Sequence, residues 1–457
     1  MATKTLASWA TDLTACSLPA SVTIAARRSL YNYIGCTIAG SCHSTVSKAQ
    51  EALSPFFGKA TSTLYGHKGE LRVDAQHAAL LNGIASHVHD YDDTHLSTII
   101  HPTGPVASAA LAFAEYRGGI SGPELLCALT AGIEASCKIG LAVWPEHYIG
   151  LKVDCRQDIG WHITSSTGSI GAAVAVGKLM RLSAEQMAHA IGIAAVQVVG
   201  LREMFGSDTK SFHPGRAAQS GLLAALLAEK GYTSSEQALE AKRGWANVVA
   251  GGGTPELHKY LSQLGQTWEI EANAFKPFPC GIVCHPIIDG CIQLHDNMLS
   301  SGRTPEAIVK IEARVHPLVI ELTSKRTPKD GLEAKFSVYH GAAVGLLLGK
   351  AGPAQYANEV VQDQAVIEIR DKVDAAADVD LAADETYLTV HFSDGSKLEK
   401  HVQHAVGSLE VPMSDEQLTT KFVDQAELVL GVSARQASDA AWSIGESQDV
   451  AEVLGAL

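Results

Sequence analysis

Residues 164–180 read Thr-Ser-Ser-Thr-Gly-Ser-Ile-Gly-Ala-Ala-Val-Ala-Val-Gly-Lys-Leu-Met. Nothing in this stretch is large and polar until Lys178, and no strand-like alternation interrupts it. Small side chains let helix axes approach closely, so the segment reads as a central helix of an α-helical domain. Each glycine costs roughly 1 kcal/mol of helix propensity against alanine, and close packing is what offsets it. Residues 184–200 share the composition, and Ser183 with Gln186 forms a capping-box signature ahead of them. Residues 74–91 place Ala75, Ala78, Ala79, Ile84, Ala85, Val88 and Tyr91 at mixed spacings of three and four. Residues 217–229 continue the pattern and stop at Lys230-Gly231. The chain up to about residue 265 is therefore expected to be helical.

The pattern changes near residue 268. Residues 307–316 alternate Ile308/Val309, Ile311, Ala313 and Val315 against Lys310, Glu312, Arg314 and His316, the period of a half-buried strand. Residues 386–402 read as a β-hairpin turning at Asp394-Gly395, and 332–350 look helical. Residues 414–431 return to helix. The expected fold is mainly α: a large all-helical domain built from both chain ends (1–267 and 403–457) plus a smaller α+β lid domain (268–402). A domain inserted into another leaves a cleft, a common ligand site.

Composition narrows the function. The 457 residues are 46% hydrophobic and 18% charged, which fits a large core and little disorder. The net charge of −14 argues against a nucleic-acid surface. No continuous apolar run is expected to span a membrane, which takes about 18 residues, and the N-terminus has no signal-like core. A cytoplasmic protein is expected. Nine scattered cysteines fit free thiols in a reducing compartment. Cys280, Cys284, His285 and Cys291 raise the question of metal, but there is no Cys-x-x-Cys and no second ligand pair. Buried thiols around a turn are the plainer reading. No phosphate loop, dinucleotide fingerprint or serine elbow is present.

The chemistry concentrates in residues 87–104, which hold His87, His89, His95 and His101 with Asp90, Asp92 and Asp93. So many titratable groups next to a core-forming segment are costly to bury unless paired. On a continued helix Asp90 and Thr94 would share a face, as would His89 and Asp93. Three carboxylates could bind a divalent cation or hold imidazoles in place. The acidic run has a faint similarity to the Asp-rich motif of terpene synthases, but no second metal motif is visible. A solvated, capped helix end is the bland alternative. His101-Pro102-Thr103-Gly104-Pro105 is a turn before a helix over 106–116, and Gly160-Trp161-His162 stands ahead of the 164–180 helix. Each places an imidazole at a helix mouth, where amides bind anions. Residues 207–216, containing Lys210, read as a polar turn ahead of another helix. Lys276 lies in a Pro-rich crossover, and Tyr339 begins a helix in the smaller domain.

Taken in order, Asp-Tyr-Asp-Asp-Thr at 90–94, His-Pro-Thr-Gly at 101–104, Gly-Trp-His at 160–162, Asp-Thr-Lys at 208–210, Lys-Pro-Phe-Pro-Cys at 276–280 and Phe-Ser-Val-Tyr at 336–339 resemble the MmgE/PrpD superfamily. That superfamily includes 2-methylcitrate dehydratase, cis-aconitate decarboxylase and iminodisuccinate epimerase. The resemblance covers nearly the whole chain and implies the two-domain fold described above, a homodimer and no cofactor. It implies site residues Asp90, Thr94, His101, His162, Lys210, Lys276 and Tyr339, and no metal. Trp161-His162-Ile163 replaces the family's more usual Phe-His-Pro, and the spacing from Thr94 to His101 is one residue longer. Both departures bear on substrate identity.

The implied reaction is a cofactor-independent lyase acting on a small di- or tricarboxylate. It would be a 2-methylcitrate-type dehydratase or a cis-aconitate-type decarboxylase, the alternative being an epimerase of an iminodicarboxylate. Losing a proton or CO2 next to a carboxylate leaves an enolate-like anion, which preorganised cations and hydrogen bonds must hold. Under that reading Lys210 and Lys276 clamp carboxylates, and His101 and His162 move protons. Asp90 orients a histidine, Thr94 hydrogen-bonds substrate, and Tyr339 protonates or positions the leaving group. A metal-dependent terpene-type cyclase and a catalytically dead carboxylate-binding protein are the readings from other classes.

Overall fold

The computed structural model describes residues 1–143, 160–455 and 457. Cys155 lies outside the described residues. The fold is mainly α, as expected. The chain divides into two compact units. One comprises Met1–Val88, Asp92–Ala274 and Asp415–Leu457; the other comprises His89–Tyr91 and Phe275–Ser414. The divisions fall after Ala274 and at Ser414, compared with the expected 267/268 and 402/403, and a three-residue piece of the acidic run groups with the second unit.

The first unit is a stack of helices whose contact surfaces are nearly bare backbone. The Ala75–Val88 and Asp208–Glu229 helices cross where Gly83 meets Gly215. A methyl group on Gly83 would stand 2.5 Å from the Gly215 Cα, and one on Gly215 would stand 2.4 Å from the Leu80 carbonyl oxygen. The Gly122–Val143 and Ile163–Leu179 helices approach in the same way through Gly132 and Gly171. The glycines that weaken each helix are therefore those its neighbours need. The chain ends join in this unit: Tyr31, on the Ala20–Gly40 helix, stacks on Trp442 at 3.9 Å and on Phe422, of the Asp415–Leu430 helix, at 4.8 Å.

Several expectations need correction. The helix expected over 74–91 ends at Val88. Asp90 takes the left-handed backbone (φ 52°), and Asp93–His95 is a short strand, so Asp90 and Thr94 do not share a helical face. The helix expected to 200 stops at Ala195. The polar turn expected at 207–216 is helix from Asp208 onward, with Pro214 inside it. The Gly122–Val143 helix is long and apolar enough to cross a membrane, contrary to the reading of the sequence, but 94% of its apolar window is packed within the fold. It also buries Glu134 and Lys138.

The second unit carries a four-stranded sheet in the order Val373–Ala377, Ile308–Val315, Thr386–Phe392, Lys397–Val402. The first pair is parallel and the others antiparallel. The hairpin turns where expected, Gly395 supplying φ 81°. Val309 is exposed at an irregularity that restores the inward register of Ile311 and Val315. The His285–Ser300 and Val338–Leu348 helices pack against this sheet. The expected 332–350 helix is broken, Gly331–Ala334 being separate from Val338–Leu348.

The Gly83–Gly215 contact has a measurable consequence. Gly215→Ala restores about 1 kcal/mol of helix propensity but forces a methyl into the Leu80 carbonyl, an overpacking cost of about 1–3 kcal/mol. Chemical denaturation should show a net loss of stability; a gain would mean that the two helices can separate without cost.

Candidate active site

In the first unit the histidines are placed by helix ends. His87 is in the last turn of Ala75–Val88. His101 comes two residues before Thr103–Arg117, and His162 is the N-cap of Ile163–Leu179. Lys210 and His213 lie in the first turns of Asp208–Glu229. The rings of His87 and His101 are 4.9 Å apart, His87 and His162 5.6 Å, and His101 and His162 6.3 Å. His162 Nδ1 is 3.0 Å from His213 Nδ1. Lys210 Nζ sits 5.5 Å over the Phe205 ring, whose edge meets the His162 ring at 5.2 Å. Three helix N-termini, each carrying partial positive charge, thus meet at one cluster of buried imidazoles.

Hydrogen bonding sets the tautomers. His101 Nδ1 lies 2.6 Å from the Asp93 carbonyl oxygen, which can only accept. Neutral His101 therefore holds its proton on Nδ1 and a lone pair on Nε2. Thr94 Oγ1 lies 3.2 Å from the same Nδ1, and the His101 amide donates to Thr164 Oγ1 at 3.1 Å. His87 Nδ1 is 2.7 Å from Asp92 Oδ2, both side chains being buried. Asp92 Oδ1 is 3.8 Å from His101 Nδ1. Asp92 is therefore the carboxylate beside the His87 and His101 imidazoles.

Electrostatics keep the cluster proton-poor. Burial, then the positive neighbours His87, Lys210, His213 and His101, hold His162 well below the usual histidine range. Burial, His87 and Lys210 bring His213 down to about 4. Asp93 is a structural pin. Its Oδ2 accepts from the Thr103 amide at 3.2 Å, from Thr103 Oγ1 at 2.5 Å and from Asn273 Nδ2 at 2.6 Å. Burial and the nearby Asp92 push its carboxyl up to about 6.

Of the seven expected site residues, Thr94, His101, His162 and Lys210 belong to the first unit and come together there. Asp90, Lys276 and Tyr339 belong to the second. Lys276 Nζ donates to Asp90 Oδ1 at 2.7 Å and to its carbonyl at 3.3 Å. The left-handed turn at Asp90 ends the helix and its carboxylate pairs with Lys276, while the Asp92 carboxylate pairs with His87. Tyr339 is buried in the first turn of Val338–Leu348, with the Arg326 guanidinium 4.3 Å over its ring.

Sequence reading did not assign His87, Asp92 or His213 to the site. His87 and Asp92 stood out only as members of a dense cluster. His213 was hidden by Pro214-Gly215, which reads as a turn.

A nitrogen of each of His87, His101 and His162 lies within 4.8 Å of the others, a spacing a divalent ion could bridge. Here, however, the Lys210 charge already opposes protonation of His162 and His213. Lys210 would repel a dication there, whereas the Asp92 carboxylate beside His87 would attract one. Cys280, Cys284, His285 and Cys291 are buried, and among the described residues they form no metal-spaced group.

Residues 4–258 match the MmgE/PrpD N-terminal domain and residues 278–444 the MmgE/PrpD C-terminal domain. The chain is 25% identical to the cis-aconitate decarboxylase-like protein oryM of Aspergillus oryzae over 99% of its length and 96% of that protein. It is 25% identical to the cis-aconitate decarboxylase of Mus musculus, over 88% of this chain and 82% of that one. It is 24% identical to the 2-methylcitrate dehydratase of Escherichia coli over 51% of each.

Two measurements check the site's energetics. Lys276→Met leaves the buried Asp90 carboxylate without its ammonium and should cost about 3–5 kcal/mol in thermal or chemical denaturation. Removing both charges in Asp90→Asn/Lys276→Met, where Asn tolerates the left-handed backbone, should cost less, and equal losses would contradict a coupled pair. For His213 the folded pKa lies below the unfolded 6.5, so the native state binds fewer protons than the unfolded chain between about 4 and 6.5. Its contribution to stability is full above 6.5 and is lost as pH falls toward 4. The slope of stability against pH over that window should flatten in His213→Asn. With these two domains matched in order along one chain, the protein belongs to the MmgE/PrpD family.

Proposed function

We propose that this chain is a cofactor-independent lyase acting on a small di- or tricarboxylate. The reaction is dehydration of a 2-methylcitrate-type acid or decarboxylation of a cis-aconitate-type acid. The observation that carries the reading is the meeting of three helix N-termini, Lys210 and the His101 and His162 imidazoles in one buried cluster. His101 Nε2, a lone pair held in place from the Asp93 carbonyl, is the base. A proton leaves the carbon next to a carboxylate, or that carbon's bond to CO2 breaks, and either step leaves an enolate-like anion. Lys210 and the helix-end amides stabilise it, each such donor being worth about 3 kcal/mol of barrier. His162 is the acid, protonating the departing hydroxyl or the carbanion. Thr94 donates to the substrate. Lys276, Asp90 and Tyr339 enter by family resemblance, Lys276 binding a carboxylate and Tyr339 placing the leaving group. A cytoplasmic homodimer belongs to the same proposal.

The pairing of two imidazoles also supports a second reading, epimerisation of an iminodicarboxylate, which needs a base and an acid facing one carbon and no leaving group. Incubation with 2-methylcitrate, cis-aconitate and iminodisuccinate in D2O, followed by mass spectrometry, separates the readings. Dehydration loses water, decarboxylation releases CO2, and epimerisation exchanges one proton without loss of mass. The expected result is loss of water or CO2, retained after exhaustive chelation; activity that disappears on chelation would restore a metal. His101→Ala and Lys210→Ala should each lower kcat/KM by about 10²–10³-fold. Near-normal turnover in a folded variant removes that residue from the mechanism.

A further inference from the structure

Two of the three clustered imidazoles have their Nδ1 committed to oxygen, His101 to the Asp93 carbonyl and His87 to Asp92. In their neutral forms both rings therefore offer lone pairs at Nε2. His162 is different, because its Nδ1 faces another imidazole nitrogen, His213 Nδ1, at 3.0 Å. A nitrogen-to-nitrogen hydrogen bond between neutral rings holds one proton. Either His162 donates it and is basic at Nε2, or His213 donates it and His162 carries its proton on Nε2. Both rings are buried, and His87, His101, Lys210 and the Phe205 edge face His162. Burial and the Lys210 charge oppose an extra proton on the pair, so the one proton held between the rings fixes both tautomers.

We propose that His213 is a positioning residue that donates its Nδ1 proton to His162 Nδ1 and so holds His162 as the Nε2–H tautomer, the donor among acceptor imidazoles. This rests on the reading of His162 as the acid, and it explains how one cluster holds a base and an acid of the same residue type. His101 is made basic by a carbonyl below it and His162 acidic by an imidazole below it. The arrangement is neutral before substrate binds, so no proton has to be added to a buried, positively charged site. When His162 Nε2 gives its proton to the substrate, the His213 proton can pass to His162 Nδ1, and the single negative charge this leaves on the pair lies beside the Lys210 ammonium.

The test has two arms. In the first, the full-length protein labelled with ¹⁵N-histidine is read without substrate by long-range ¹⁵N–¹H correlation, with His213→Asn used to assign the pair. The proposal expects His162 as Nε2–H and His213 as Nδ1–H. His162 as Nδ1–H, or both rings as Nε2–H, overturns it whatever the enzyme's substrate. In the second arm, whichever of cis-aconitate and 2-methylcitrate turns over is the probe. Asn places an amide where the His Nδ1 stood, so His213→Asn should keep kcat within a few-fold. His213→Leu should lower kcat by about 10²-fold, leave KM nearly unchanged and reshape the pH profile. A Leu variant with unaltered kcat and pH profile overturns the proposal. If the Leu variant fails to fold, the first arm decides. If neither substrate turns over in the wild-type protein, the proposed lyase activity fails while the tautomer assignment still stands or falls on the first arm.

Discussion

Everything in the first unit answers to one requirement: several imidazoles and an ammonium group have been taken out of water at a single point. Desolvation alone disfavours their charged forms, and their mutual repulsion adds to it. The structure meets this with counter-groups placed one per ring. Asp92 holds His87, the Asp93 carbonyl holds His101, and His213 holds His162. Each ring is thereby fixed in orientation, with the Lys210 ammonium and the Asp92 carboxylate as the charged groups beside them.

The fold supplies this placement through contacts that look unrelated to chemistry. Gly83 and Gly215 bring two helices into backbone contact. His87 sits one turn beyond Gly83, and His213 two residues before Gly215. A crossing set by the absence of two side chains therefore fixes the distance between one imidazole and the next. The loop leading to His101 is braced from behind by a buried chain of charges. Lys138 donates to Glu269 at 2.8 Å, Glu269 lies 3.1 Å from His95 Nε2, and His95 Nδ1 lies 2.7 Å from Thr98 Oγ1. Burial opposes ionisation of Glu269, but His95 and Lys138 outweigh it and bring that carboxyl down to about 2. Burial pushes neighbouring Glu134 up to about 7. One firmly ionised carboxylate and one that shares its proton near neutrality make a brace that accommodates a single lysine without excess charge.

Much of this was legible in the sequence. The small-residue helices, the strand over 308–315 and the hairpin at Asp394-Gly395 follow from periodicity and turn chemistry, which are local. Thr94, His101, His162 and Lys210 were named before any geometry through the resemblance of their motifs to the MmgE/PrpD superfamily, and His101 and His162 also stand at Pro- or Gly-marked helix mouths. What stayed hidden was non-local or context-dependent. Pro214-Gly215 reads as a turn, yet helix forms through it because the missing Cβ of Gly215 is needed against Leu80. The acidic run reads as helix, yet the left-handed Asp90 ends it. Past that one backbone reversal the two nearby carboxylates part, Asp90 pairing with Lys276 and Asp92 with His87, and no spacing rule distinguishes them.

The same reversal bears on how such a site tells a base from an acid. Identical side chains with identical solution pKa values cannot be assigned opposite roles by residue type. Their roles are set by what the far nitrogen touches: an acceptor-only carbonyl forces a lone pair outward, and a donor forces a proton outward. Asp93 illustrates the economy of this. Its carbonyl fixes the His101 tautomer, while its carboxylate, two bonds from the same Cα, pins the amide of Thr103 at the start of the helix that follows. Backbone and side chain of one residue thus set both where the imidazole stands and which of its nitrogens can accept a proton. A substitution at Asp93 that preserved packing would still move the ring's surroundings, whereas one at Asp92 would change the charge beside His87 and leave the His101 tautomer with its carbonyl. The two neighbouring carboxylates are therefore not interchangeable.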